Sequence, residues 1–254
     1  MYRNMLLICF VILAWLGFPH AGNSANVDVK IILQKVDEAE GFESNYSEMK
    51  QIITTSSGQE RTLVIRAWAV NNGDKQLAEY LAPPDIKGQR ILMTDDGDNI
   101  WMFNPETRRI RKLGSHMRKK KIMGSDFTYE DQSSGNISKK YTGKLLGNEK
   151  IGKAECYLLE LRPTPEGPSY GKIMAWIGIE DYIIRQVDYF RKDETKPFKR
   201  LVMEDIRKTG KKYYPYKMTM TNLEDKTKTI NIIAKTQSGV RIPLSIFESR
   251  NLGK

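Results

Sequence analysis

Residues 89–113, QRILMTDDGDNIWMFNPETRRIRKL, contain three runs rich in β-forming residues, separated by two turn signals. DDGD (95–98) and NPET (104–107) carry the Asp, Asn, Gly and Pro that reverse a chain. The runs at 90–94, 99–103 and 108–113 are each too short for a helix of average length, and together they read as an antiparallel meander. The same texture spreads outward through most of the chain. SSGQ (56–59), NNGD (71–74) and NLED (222–225) punctuate further runs at 45–55, 61–71, 152–162, 171–179, 182–192, 198–207, 213–222 and 227–235. Eleven to thirteen strands are expected, and the fold class is mainly β. A flat sheet of that width is disfavoured because twisted strands curl, split or close as they accumulate, so a barrel-like curl or a sandwich is predicted.

Several of these strands are apolar on both faces. Leu63, Ile65 and Ala67 alternate with Val64 and Trp68, and Ile100 and Met102 alternate with Trp101 and Phe103. A sheet with one wet face alternates more cleanly, so both faces need covers. Three segments are available. One is a helix over 29–40, capped by Asp28, with Val29, Ile32, Leu33 and Val36 at helical spacing. The others are the region around 115–135 and the closing IPLSIFESRNL (242–252).

The N-terminal MYRNMLLICFVILAWLGFPHAGNSA reads as a cleaved export signal: Arg3, an apolar run from Met5 to Phe18, Pro19, then small residues. The run is too short to span a bilayer, which needs about 20 residues. Cleavage is expected after Ala25, with Ala21 as the alternative, leaving a single domain over 26–254. No cysteine lies directly after the apolar run, so no lipid anchor is expected. Removing the signal takes Cys9 and leaves Cys156 alone, which excludes an intramolecular disulfide. The formal net charge is +10, or +9 once Arg3 is lost. An exported basic protein meets anionic headgroups and envelope polymers, and nucleic acid is not an expected partner.

Catalytic and metal readings have little to work with. The mature chain has one histidine, His116, set in a basic loop, and one cysteine, Cys156, within the strand-like AECYLLEL. That is too few for a zinc site of the usual type, and no metal or cofactor is expected. Asp126, Glu130 and Asp131 within KKKIMGSDFTYEDQ (119–132) are candidates for glycosidase chemistry by paired carboxylates. A structural reading accounts for the same residues. Ser125 caps a short helix that sets Met123, Phe127 and Glu130 along one side, with its acids toward water, and Thr128 with Asp131 forms a second capping pair. Upstream, RRIRKLGSHMRKKK (108–121) carries eight basic residues: Arg108, Arg109, Arg111, Lys112, Arg118, Lys119, Lys120 and Lys121. No aromatic interleaves them as base stacking requires, so the alternatives are a solvated face or docking to an anionic surface. Nine Met survive cleavage, and Trp68, Trp101 and Trp176 lie on similar strands. They read either as ordinary core or as the lining of an adaptable apolar cavity.

PPDIKGQRILMTDDGDNIWMFNPETRRIRKL (83–113) followed by MGSDFTYED (123–131) resembles the outer-membrane lipoprotein-sorting family, the LolA-like periplasmic carriers of lipoproteins and lipids. The likeness runs loosely from Val29 to the closing segment. It implies a strongly curved antiparallel sheet forming an incomplete, half-open barrel of about 11 strands, with short helices over its concave side. It also implies a periplasmic, non-catalytic shuttle for acyl chains, with an inner-membrane donor and an outer-membrane acceptor as partners. On that reading Trp68, Trp101, Met102, Phe103, Met123, Phe127, Tyr129 and Trp176 contact lipid, Gly124, Ser125 and Asp126 form a lid or hinge, and the eight basic residues dock to an anionic membrane. The loop GSHMRKKKIMGSD (114–126) carries more lysine than the Gly- and Ser-rich loop expected of the family. The rivals are a secreted module that binds polyanions through 108–121 and a glycan hydrolase using Asp126 and Glu130.

Overall fold

The computed structural model describes residues 28–133, 136–209 and 212–254; the export signal expected at 1–25 lies outside them. Helix α1 (Val29–Glu40) is followed by β1 (Ser44–Thr54), β2 (Glu60–Val70), β3 (Lys75–Ala82), β4 (Arg90–Thr94), β5 (Asn99–Asn104) and β6 (Arg109–Leu113). After a long connection carrying α2 (Tyr129–Gln132) and α3 (Ile137–Lys140) come β7 (Tyr141–Ile151), β8 (Ala154–Pro163), β9 (Lys172–Gly178), β10 (Ile184–Phe190), β11 (Lys199–Thr209), β12 (Lys212–Asn222) and β13 (Thr227–Ser238). The eleven strand runs read from the sequence are all present, and β3 and β7 are additions.

Among the described residues all thirteen strands belong to one antiparallel sheet, ordered β6-β5-β4-β3-β2-β1-β13-β12-β11-β10-β9-β8-β7. The sheet does not close, which makes it the half-open barrel expected from the resemblance. β1 and β13 join the two halves in the register Gln51↔Asn231 and Ile52↔Ile230. Bulges interrupt the ladders at Glu48/Met49, Val64/Ile65, Leu145/Gly147 and Ile184/Gln186. An extra residue on one strand bends it and deepens its twist, which is how a wide sheet acquires curvature.

The inner face carries two apolar clusters. On the β7–β12 side, Ile32, Leu33 and Val36 of α1, each 1% exposed, pack on Leu159, Leu161, Ala175 and Ile177. On the β1–β5 side, Leu63, Ile65, Tyr80, Ile91 and Ile100 form the second. The outer face holds a third, in which Trp68, Val70, Leu77, Leu92, Trp101 and Phe103 lie under Ile242, Ile246, Phe247 and Leu252 of the C-terminal segment. Arg90 ties that strap down by donating to the carbonyls of Leu252 (2.9 Å) and Lys254 (2.6 Å). Each apolar face thus has its own cover.

α1 forms where expected. The Asp28 side chain accepts from the Lys30 N–H at 2.9 Å and satisfies one of the free donors of the first turn. Burial of its apolar stripe then fixes it to the sheet. Leu33→Ala should lower the unfolding free energy in urea by roughly 2–5 kcal/mol. Ile31, on the same helix but 52% exposed, should change stability by less than about 0.5 kcal/mol when replaced by alanine.

Candidate functional site

β6 and β7 are the two edges of the sheet, so residues 114–140 must travel from one edge to the other. They do so on the inner side. After a 3-10 turn at Ser115–Lys119, residues 121–128 form a tight hairpin, with a bridge between Lys121 and Thr128 and the Ile122 N–H bound to the Phe127 carbonyl at 2.8 Å. Its turn is closed by the Ser125 N–H on the Ile122 carbonyl (2.9 Å), with positive φ at Met123 (52°) and Gly124 (81°). Positive φ at both central residues is the signature of a type I′ hairpin turn. Glycine adopts it freely and methionine does so only when held.

This corrects the helix expected from Ser125. The Ser125 hydroxyl instead sits near the Phe127 carbonyl at 3.4 Å, and the helix begins at Tyr129. Its cap is the pair Thr128 and Asp131, which bond reciprocally as a capping box. What holds the hairpin is Asp126. Its carboxylate accepts from Thr229 (2.9 Å), Thr227 (2.5 Å) and Lys121 (3.1 Å), while its N–H donates to Thr229 Oγ1 (2.8 Å). The acids expected toward water are buried here, because each is more valuable as an anchor to the sheet than as a solvated charge.

Asp131 and Glu130 anchor the other end. Lys199 Nζ on β11 donates to both Asp131 oxygens at 2.9 and 2.7 Å, and Tyr170 donates to Asp131 at 2.6 Å. The Lys199 and Asp131 side chains are only 4% and 3% exposed. The ammonium also lies 4.7 Å from the Tyr189 ring centre and 4.9 Å from that of Tyr170. Burial, reinforced by the nearby Asp131 charge, pushes the Tyr170 hydroxyl far above its usual pKa, so it remains a donor. Glu130 accepts from Ser169 through both its N–H (3.2 Å) and its hydroxyl (3.0 Å).

The hairpin and α2 leave two hollows on the inner face. The larger, about 300 Å³, lies between α1, α2 and the strands, and is bordered by Tyr141, Tyr170, Ile173, Val187, Leu201 and Met203. The smaller, about 200 Å³, lies against β1–β4 and is bordered by Met49, Ile65, Ala67, Ala78, Met93 and Phe127. The cover inserts an aromatic into each side, Phe127 into the cluster under α1 and Tyr129 into the cluster on β1–β5, with Met123 packed beside Tyr129's cluster.

The remaining expected positions fall elsewhere. Met102 shares the inner-face register of Ile91, and its sulfur accepts from Gln89 at 2.9 Å. Trp101 and Phe103 have the opposite parity and pack under the C-terminal strap. Trp68 borders the smaller hollow, but it packs against the outer cluster, with its ring tilted 51° to that of Tyr46 at 5.6 Å. Trp176 alternates with inward Ala175 and Ile177, and its indole N–H reaches Glu149 at 2.8 Å. Arg108, Arg109, Arg111, Lys112, Lys119 and Lys120 are exposed, whereas Arg118 pairs with Asp98 and Lys121 with Asp126 and Asp225. Although burial works to lower it, those carboxylates hold the Lys121 pKa above its ordinary value. His116 is exposed, and Cys156 is a buried thiol whose pKa is raised by burial. Lys199, Tyr170, Thr229 and the polar pair Gln51 and Asn231 were not singled out by the sequence.

Two outcomes test this arrangement. Lys199→Met strands a buried carboxylate and should cost about 3–5 kcal/mol in urea unfolding, with much of the loss recovered in Lys199→Met/Asp131→Asn. Glu40, at the rim of the larger hollow, has its pKa pushed from 4.5 up to about 7, chiefly by burial. A carboxyl that binds its proton more tightly when folded contributes stability that is complete below pH 4.5 and is lost as pH rises through about 7. The melting temperature of the wild type relative to Glu40→Gln should therefore fall across that window.

A family model described as "Uncharacterized protein", of the "-like" kind, matches residues 72–254. No curated protein matches the chain in sequence. Among solved structures, the outer membrane lipoprotein-sorting protein domain from Vibrio parahaemolyticus superposes with a TM-score of 0.81 at 22% identity, covering 89% of this chain and 98% of the other. A DUF1329 family protein from Desulfovibrio piger gives 0.80 at 19% identity, covering 88% and 97%. A LolA superfamily protein from Nitrosomonas europaea gives 0.72 at 20% identity, covering 87% and 98%. The chain belongs to the family of the matched model, and its fold is that of the outer-membrane lipoprotein-sorting and LolA superfamily proteins.

Proposed function

We propose that the protein is a periplasmic carrier that takes an acyl chain of a lipoprotein or lipid into its inner-face hollows and moves it toward the outer membrane without chemistry. The observation that carries this reading is the pair of hollows under the crossing segment, the smaller bordered by Phe127 of the hairpin and the larger by Glu130 and Asp131 of α2. Each methylene left in water costs about 0.8 kcal/mol, so a chain of about 16 carbons costs on the order of 12 kcal/mol and crosses an aqueous space only when enclosed. Two hollows of about 300 and 200 Å³ together reach the range of small-molecule sites once the hairpin lifts. Met123, Phe127 and Tyr129 then exchange their contacts with the sheet for contacts with the tail. Gly124, with nothing within 4 Å of where a side chain would start, gives the turn room to move. The likeness in fold to lipoprotein-sorting proteins supports the same reading.

Docking is assigned to the exposed basic residues of β6 and the loop after it. Arg109, Arg111, Lys112, Lys119 and Lys120 form a cationic margin beside the cover, each contributing about 1 kcal/mol near an anionic membrane surface. The candidates for a glycosidase's pair of carboxylates, Asp126, Glu130 and Asp131, are all occupied in holding the cover down.

Native mass spectrometry of protein released gently from the periplasm should show bound lipid. Ala67→Phe, which fills the smaller hollow, should weaken binding of a fluorescent fatty acid at least tenfold with an unchanged far-ultraviolet spectrum. Phe127→Asp should do the same by placing a charge at the cover. Wild-type protein that carries no lipid and ignores the fatty acid would end the carrier reading.

A further inference from the structure

Gln51 on β1 and Asn231 on β13 face each other across the junction of the two half-sheets, in register on the inner face. They are 6% and 3% exposed, and both border the smaller hollow. Their neighbours there are Met49, Ile65, Met93 and Phe127. Gln51 Nε2 donates to Asn231 Oδ1 at 2.9 Å. Gln51 Oε1 is a buried side-chain oxygen with no hydrogen-bond partner among the described residues. Two amides in the middle of an apolar surface do nothing for packing that a pair of leucines would not do better, and a buried acceptor left unpaired is unfavourable.

We infer that Gln51 and Asn231 form a polar recognition point inside the smaller hollow, and that the preferred ligand is an amphiphile with a hydrogen-bond donor, a hydroxyl or an amide N–H, next to its acyl chain. The inference rests on the carrier reading and narrows its cargo. Oε1 is out of reach while the hairpin is seated, and a bare hydrocarbon tail that displaces the hairpin leaves it stranded. A ligand that places a donor there gives that oxygen its partner, while its tail meets the methionines that border the hollow. Donor-bearing acyl compounds are thereby separated from fully esterified or alkyl ones by the site itself.

The test is a competition against the fluorescent fatty acid with two probes, monopalmitoylglycerol and the same molecule with both hydroxyls methylated. A featureless apolar hollow prefers the methylated probe, because stripping water from hydroxyls is costly. The recognition point reverses that order, and wild-type protein should favour the hydroxylated probe by about tenfold, the effect of one well-made hydrogen bond. Gln51→Met should abolish or invert the preference without weakening the methylated probe, and Gln51→Asn, which withdraws the carbonyl by one methylene, should shrink it. A wild-type preference for the methylated probe, or an unchanged ratio in a folded Gln51→Met protein, overturns the inference while leaving the carrier reading standing. Failure of both probes and the fatty acid to bind wild-type protein removes the carrier reading and this inference with it.

Discussion

The architecture depends on one topological constraint. β6 and β7, consecutive along the chain, are opposite edges of a single sheet, so the 114–140 connection has to pass over one of its faces. The inner face is apolar on both halves and needs a cover, and the crossing chain supplies it. Backbone polar groups laid across an apolar surface must still find partners. The connection meets this demand by pairing with itself in the 121–128 hairpin and by fastening its side chains to the strands beneath it.

The two inner covers are held by different physics. α1 is fixed by Ile32, Leu33 and Val36, all nearly inaccessible, and lifting it would expose hydrocarbon with nothing gained in return. The crossing segment also buries Phe127 and Tyr129, but it adds polar fasteners, Asp126, Glu130 and Asp131 on Thr227, Thr229, Ser169, Tyr170 and Lys199. Such bonds are directional, but water can replace them when the segment rises, so their net contribution is small compared with their number. A buried ion pair is also a weaker fastener than well-packed apolar residues of the same size. On the proposed carrier reading, this asymmetry would serve as a permanent wall beside a cover that seats in one register yet can leave it.

The β meander was legible because turn residues punctuate it: DDGD and NPET delimit β4, β5 and β6 within a residue. β3 (KQLAEYLA) was not, because its Ala and Leu carry little β preference and only pairing with β2 and β4 makes it a strand. β7 hid for a related reason. It is a mostly exposed edge with Gly143 and Gly147, so it lacks the apolar alternation that marks a strand. The site was half visible. The aromatic cover and the Thr128/Asp131 cap follow from local spacing, whereas the Met123-Gly124 turn depends on Asp126 finding Thr229, a partner 103 residues away. Trp101, Phe103 and Trp176 were assigned to a cavity because composition reports that a strand has two apolar faces without saying which one is inside.

Charge on the edge strands bears on why the sheet stays open. An unclosed sheet exposes two rows of unpaired backbone groups, and those rows invite each other or another chain. β6 carries Arg109 and Arg111 on one face and Lys112 on the other, all exposed, and β7 carries Lys144 and Lys150 along a mostly exposed strand bent by a bulge at Leu145/Gly147. Basic charge on both margins makes edge-to-edge closure unfavourable, and the bulge turns β7 out of a straight pairing line. The same charge discourages other chains from extending the sheet at either margin.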